Sequence, residues 1–151
     1  MGAAAVAALA RYTPDPASAT ACLLVAGNPP GARVDELFPN ACLVGSDPTK
    51  WRGPDDRRFD LAIVSSACAL EARPSAAPLL ATLRDRHARC VAIVGEEHVF
   101  ESRELVALGF EQTELGESLL WLFDPDAESR QREWNDARHW ANPENFDKYR
   151  W

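Results

Sequence analysis

Positive charge is in short supply in this sequence. Its 151 residues carry 16 Lys and Arg against 23 Asp and Glu, a net charge of −7. A nucleic-acid surface needs a basic face, so DNA or RNA is not an expected partner, and neither is an anionic membrane. Long apolar runs are also missing, and none approaches the length of a transmembrane helix. The stretch from Gly2 to Arg11 is alanine-rich but lacks the basic start of a secretory signal. Val6 stands where a myristoylation signal would place Ser or Thr. These absences predict a cytoplasmic protein. With no internal repeat and no low-complexity linker, the chain reads as one domain, residues 1–139, with a tail at 140–151.

Cysteine is sparse and scattered. Cys22, Cys42, Cys68 and Cys90 never fall in a C-x-x-C arrangement, so no dithiol redox or zinc motif is present. Three of the four sit in apolar runs, which predicts buried free thiols in a reducing compartment. Cys68 has no histidine or cationic neighbour in sequence to activate it as a nucleophile. Histidine is limited to His87, His98 and His139. Adjacent Glu96, Glu97 and His98 would converge poorly on a metal and have no second His-rich segment to complete a site, so no metal is expected.

What is present is a series of short apolar runs separated by loops. Cys22–Ala26, Ala41–Gly45, Phe59–Ser66 and Cys90–Gly95 lack the alternation of a half-exposed strand and read as buried strands of a parallel sheet. The run at 59–66 is the central one. Between the strands lie helical stretches at 33–38, from Ser75 to about His87, and from an N-capping Ser102 to Gly109. A further helix is expected at 2–12, closed by Thr13-Pro14-Asp15-Pro16. Phe110–Leu115 and Ser118–Phe123 flank Gly116-Glu117 as an antiparallel hairpin. Asp124-Pro125 then starts a last helix, to about His139. The fold class is α/β: a Rossmann-like three-layer sandwich with a mostly parallel sheet, right-handed crossovers and a C-terminal antiparallel hairpin.

Four features in order give this chain a likeness to a known family. They are Leu23-Leu24-Val25-Ala26-Gly27, Val44-Gly45-Ser46-Asp47-Pro48, Phe59–Glu71 and Leu108-Gly109-Phe110. Together they resemble the class I S-adenosylmethionine-dependent methyltransferases over roughly residues 20–124. The resemblance implies a cofactor site at Gly27, Asn28, Gly31, Asp47, Ser65 and Ser66, with Asp47 accepting the ribose hydroxyls. It also implies departures from that family. Pro29 occupies the middle glycine position and Pro30 follows it, which adds bulk and removes two backbone donors. Val25 stands where the family has an acid to meet the cofactor's ammonium. The stretch from Asp47 to Phe59 is too short for the family's extra helix and strand. The expectation is therefore a reduced domain with a degenerate S-adenosylmethionine site and a non-catalytic or binding role. The alternative is an active methyltransferase on an unknown substrate.

In an open α/β sheet, ligands bind beyond the carboxyl ends of the parallel strands. That edge would gather Gly27, Asn28, Asp47, Ser65, Ser66, Glu96, Glu97 and His98. His98 beside Glu96 is the candidate general base, because a nearby carboxylate favours its charged form. The same residues also suit solvated loops, and Ser65 and Ser66 suit a strand's exit. Trp134, Trp140, Phe146, Tyr149 and Trp151 are spread along a C-terminal stretch of mixed charge. Aromatics with arginine suit a protein interface; equally, such a tail covers part of its own domain. The ending from Trp140 to Trp151 resembles that of small uncharacterised proteobacterial proteins.

Overall fold

The structure is a computed structural model, which describes residues 8–25, 34–45, 57–65, 76–94, 101–115 and 118–128. Six strands form one mixed sheet: β1 (Cys22–Val25), β2 (Cys42–Val44), β3 (Phe59–Ser65), β4 (Ala88–Val94), β5 (Glu111–Leu115) and β6 (Ser118–Phe123). Their spatial order is β2-β1-β3-β4-β6-β5. The first four run parallel, β6 is antiparallel to β4, and β5 is antiparallel to β6. The helices are short: α1 (Val34–Leu37), α2 (Ala76–Thr82), α3 (Ser102–Ala107) and α4 (Pro125–Glu128), with a 3-10 turn at Ala10–Tyr12. Among the described residues no helix is long and apolar enough to cross a membrane.

Alternate residues of a strand face opposite sides of the sheet, and two apolar clusters follow that alternation. Leu24, Leu61, Ile63, Cys90, Ala92 and Leu120 join Leu9, Val34 and Phe38 on one side. Leu23, Ala62, Val64, Val91 and Ile93 join Leu80, Leu83, Leu105 and Phe110 on the other. Helical residues thus cover both faces of the strands, which explains apolar runs without alternation. β3 and β4 are buried throughout except at their second residues, Asp60 and Arg89. These two lie side by side, between the register pairs Phe59–Ala88 and Leu61–Cys90.

The structure corrects four expectations. β2 lies at the sheet's edge and is not buried: Leu43 is 65% exposed, because only one side of the strand has a neighbour among the described residues. The helix toward His87 does not stay α but widens into a π-turn over Leu83–His87. β4 begins at Ala88, two residues before the apolar run, because the π-turn passes straight into extended backbone. Ser102 is the first residue of α3 rather than its cap. Glu101 holds the capping position, with extended backbone and no side-chain bond. At the N-terminus the described helix is confined to residues 8–12, with residues 1–7 outside the description.

Other local signals operate as the residues dictate. α3 ends in a Schellman motif: the Phe110 N–H donates to Leu105 O (2.9 Å) and the Gly109 N–H to Val106 O (2.9 Å). Gly109 has φ 83°, a conformation that costs any residue with a Cβ. Phe110 is then buried in the same cluster as Leu105. Leu115 pairs with Ser118, so the hairpin turn is two residues long. Asp124 caps α4, its Oδ1 accepting the Asp126 N–H at 3.0 Å.

Candidate functional site

Parallel pairing brings the carboxyl ends of β1 to β4 to one edge. The register is level: Val25 pairs with both Val44 and Val64, and Ser65 pairs with Val94. The segments that leave this edge are 26–33, 46–56, 66–75 and 95–100. Chain order reverses between β1 and β3, the switch point at which open α/β sheets form their crevice. Of the residues expected to form a site here, Ser65 is described: it ends β3 and is buried. Gly27, Asn28, Gly31, Asp47, Ser66, Glu96, Glu97 and His98 lie outside the described residues, as do Cys68 and the aromatics at 134, 140, 146, 149 and 151. Val25, at the position where the resemblance expects an acid, is fully buried in the cluster that contains Val64 and Ile93.

The amino edge is tied together by arginines. Arg58 reaches from the start of β3 to Arg84 O and Ala88 O, both at 2.6 Å. Arg84 Nη1 donates to Leu108 O at the end of α3, and its guanidinium lies 5.3 Å from the centre of the Phe123 ring. Arg89 donates to Asp126 Oδ2 (2.7 Å) and to Tyr12 O (3.1 Å). Each arginine satisfies a carbonyl that ends a helical segment or begins a strand. Burial raises the pKa of Asp60, and neighbouring Arg89 partly offsets that shift. The Arg84 hydrogen bond lowers the pKa of Asp85, aided by the charges of Arg84, Arg58 and Arg86.

Between these elements lies a pocket of about 200 Å³, lined by Tyr12, Glu111, Thr113, Leu122, Asp124 and Ala127 among others. It had no signature in the sequence, because its residues come from three separate segments that meet only when β5 and β6 pair beside the 3-10 turn.

Two of the described thiols, Cys22 and Cys90, are poor nucleophiles. Burial pushes Cys22 up to about 12. It pushes Cys90 to about 11, with the charge of Arg89 opposing and those of Asp124, Asp126 and Asp60 adding. Among the described residues no three His, Cys, Asp or Glu side chains are placed to hold a metal ion.

The fold defines an α/β domain with a mixed, mostly parallel six-stranded sheet. The chain belongs to the family of unknown function DUF6231, whose model matches residues 3–151. Neither the curated proteins nor the solved structures include one that matches it.

Proposed function

We propose that this protein is a Rossmann-like, methyltransferase-like cytoplasmic domain that acts by binding rather than by methyl transfer. The observation that carries this reading is Val25. It ends β1 at the switch point, fully buried, where the resemblance expects an acid to hold the ammonium of S-adenosylmethionine. An aspartate there would put a charge into an apolar cluster. The following loop carries Pro29 and Pro30, which cannot donate backbone hydrogen bonds to a cofactor. The strand order supports the fold assignment. An interior antiparallel β6, with β5 outside it, suits the closing hairpin that the resemblance implies. Partner contacts fall to the aromatic C-terminal segment, with Trp134, Trp140, Phe146, Tyr149 and Trp151 as its anchors.

Calorimetric titration of S-adenosylhomocysteine and S-adenosylmethionine into the full chain tests this reading, with Asp47→Ala beside it. The expected result is no heat of binding at millimolar ligand for either protein. Micromolar binding that disappears in Asp47→Ala would establish the second reading, an active cofactor site that justifies a search for a methyl acceptor. Ser65 at the end of the central strand favours that reading.

A further inference from the structure

β5 ends the sheet on one side. It pairs with β6 and has no further neighbour among the described residues. Its register shows what the free side offers. Leu115 and Ser118 close a two-residue turn and so form a hydrogen-bonded pair, which Thr113–Leu120 and Glu111–Leu122 repeat at alternate positions. Gln112 and Glu114 therefore turn their backbone N–H and C=O groups away from β6. Such a row is a template for one more strand. Neither proline nor lysine, the common guards of an edge, occurs between residues 111 and 115.

The same strand is acidic and carries no positive charge. Glu111 and Glu114 are both exposed. Glu111 and Thr113 share a face with Leu122, and on that face lies the pocket of about 200 Å³ that Tyr12, Arg11 and Asp124 also line. The lining sets two carboxylates, Glu111 and Asp124, against the one guanidinium of Arg11, so a single added cation balances it. Arg11 is itself engaged: its Nη2 donates to the Tyr12 hydroxyl at 2.6 Å, and its guanidinium lies 4.8 Å from the centre of that ring. Asp124 Oδ1 accepts the Asp126 N–H, whereas Glu111 has no ion-pair partner among the described residues. Neighbouring strands lie about 4.8 Å apart, a span that a long side chain crosses. A residue opposite Glu111 or Thr113 on an added strand thus reaches the pocket.

We propose that the free edge of β5 binds an extended, lysine- or arginine-bearing segment of a partner protein by strand addition, with one basic side chain entering the pocket of Glu111, Asp124 and Tyr12. Backbone pairing supplies the affinity, and the pocket selects the side chain. A second copy of this chain is the wrong occupant, because pairing β5 with β5 sets four glutamates on one two-stranded ladder. This site is independent of the carboxyl edge and of any cofactor.

Two measurements on the full-length protein test the proposal, with a fluorescein-labelled, end-blocked hexapeptide of alternating lysine and valine as the probe. In amide NMR spectra the peptide is expected to shift Gln112, Thr113 and Glu114. No shift of these amides at millimolar peptide overturns the proposal, whether the edge is inert or is covered by another part of the same chain. In anisotropy titrations Glu111→Gln is expected to weaken binding about five-fold, the scale of one exposed ion pair. Unchanged affinity would remove the pocket from the interaction and overturn its role. Lysines opposite Glu111 and Thr113 leave the valine N–H groups facing β5, so a peptide methylated on its valine nitrogens is expected to lose measurable binding. Binding equal to that of the parent peptide would reduce the contact to charge attraction and overturn strand addition. A peptide with norleucine in place of lysine is also expected to lose binding, and equal affinity would overturn the choice of a basic partner.

Discussion

At the scale of single residues, burial decides which side chains are chemically available. Cys22 and Cys90 are fully buried, and the loss of hydration disfavours their thiolates. Cys42 is the exception among the described thiols, because β2 lies at the edge and leaves it half-buried. A short pulse of iodoacetamide at pH 8, read by peptide mass spectrometry, should label Cys42 at least ten-fold more than Cys22 or Cys90. Equal labelling of all three would mean that the strands open on the labelling timescale. The same principle explains why one polar residue of the carboxyl edge, Ser65, is buried: it continues a strand covered on both faces. The serine was legible in the sequence as a polar strand end. Its burial was not, because that depends on the neighbouring strand, where Ser65 pairs with Val94.

At the scale of elements, short helices need help at their ends. α2 holds seven residues and α3 six, below the length at which isolated helices are stable. Arg84 supports both: it lies in the π-turn after α2, donates to the last turn of α3 and rests against Phe123. Its backbone carbonyl is in turn held by Arg58. Arg84→Ala should therefore lower stability by about 1–2 kcal/mol, from a lost charge-assisted bond to a carbonyl and lost packing. Arg84→Lys should recover only part of this, since an ammonium cannot bond Leu108 O and lie flat on the ring at once. Urea unfolding followed by circular dichroism would read the difference, and full rescue by lysine would show that charge alone matters. No sequence pattern announced this link, since positions 84, 108 and 123 lie on three separate elements.

At the scale of the whole molecule, the sheet separates two edges. The amino edge is bound by Arg58, Arg84 and Arg89, whereas the carboxyl edge gives rise to the four segments that carry the candidate ligands. Stability and binding should then be separable. Leu61→Ala in β3 removes a fully buried side chain from the centre of the sheet and should cost about 2–5 kcal/mol. Leu43→Ala on β2 removes an exposed one and should change stability by no more than about 0.5 kcal/mol. Thermal unfolding of the two variants checks this directly. A large loss on Leu43→Ala would mean that β2 has a covering partner beyond the described residues.

The sequence by itself determined the α/β class, the four parallel strands in their order, three of them buried, the closing hairpin and the glycine stop at residue 109. Each of these rests on signals within about ten residues: unbroken apolar stretches, a turn dipeptide, a left-handed cap. Only the tertiary structure decided that β2 stands at the edge with Leu43 in solvent, that α2 widens into a π-turn, and that a pocket opens beside Tyr12. Those outcomes depend on which strand lies beside which. Strand neighbours are set by packing between segments tens of residues apart, where no local pattern reaches.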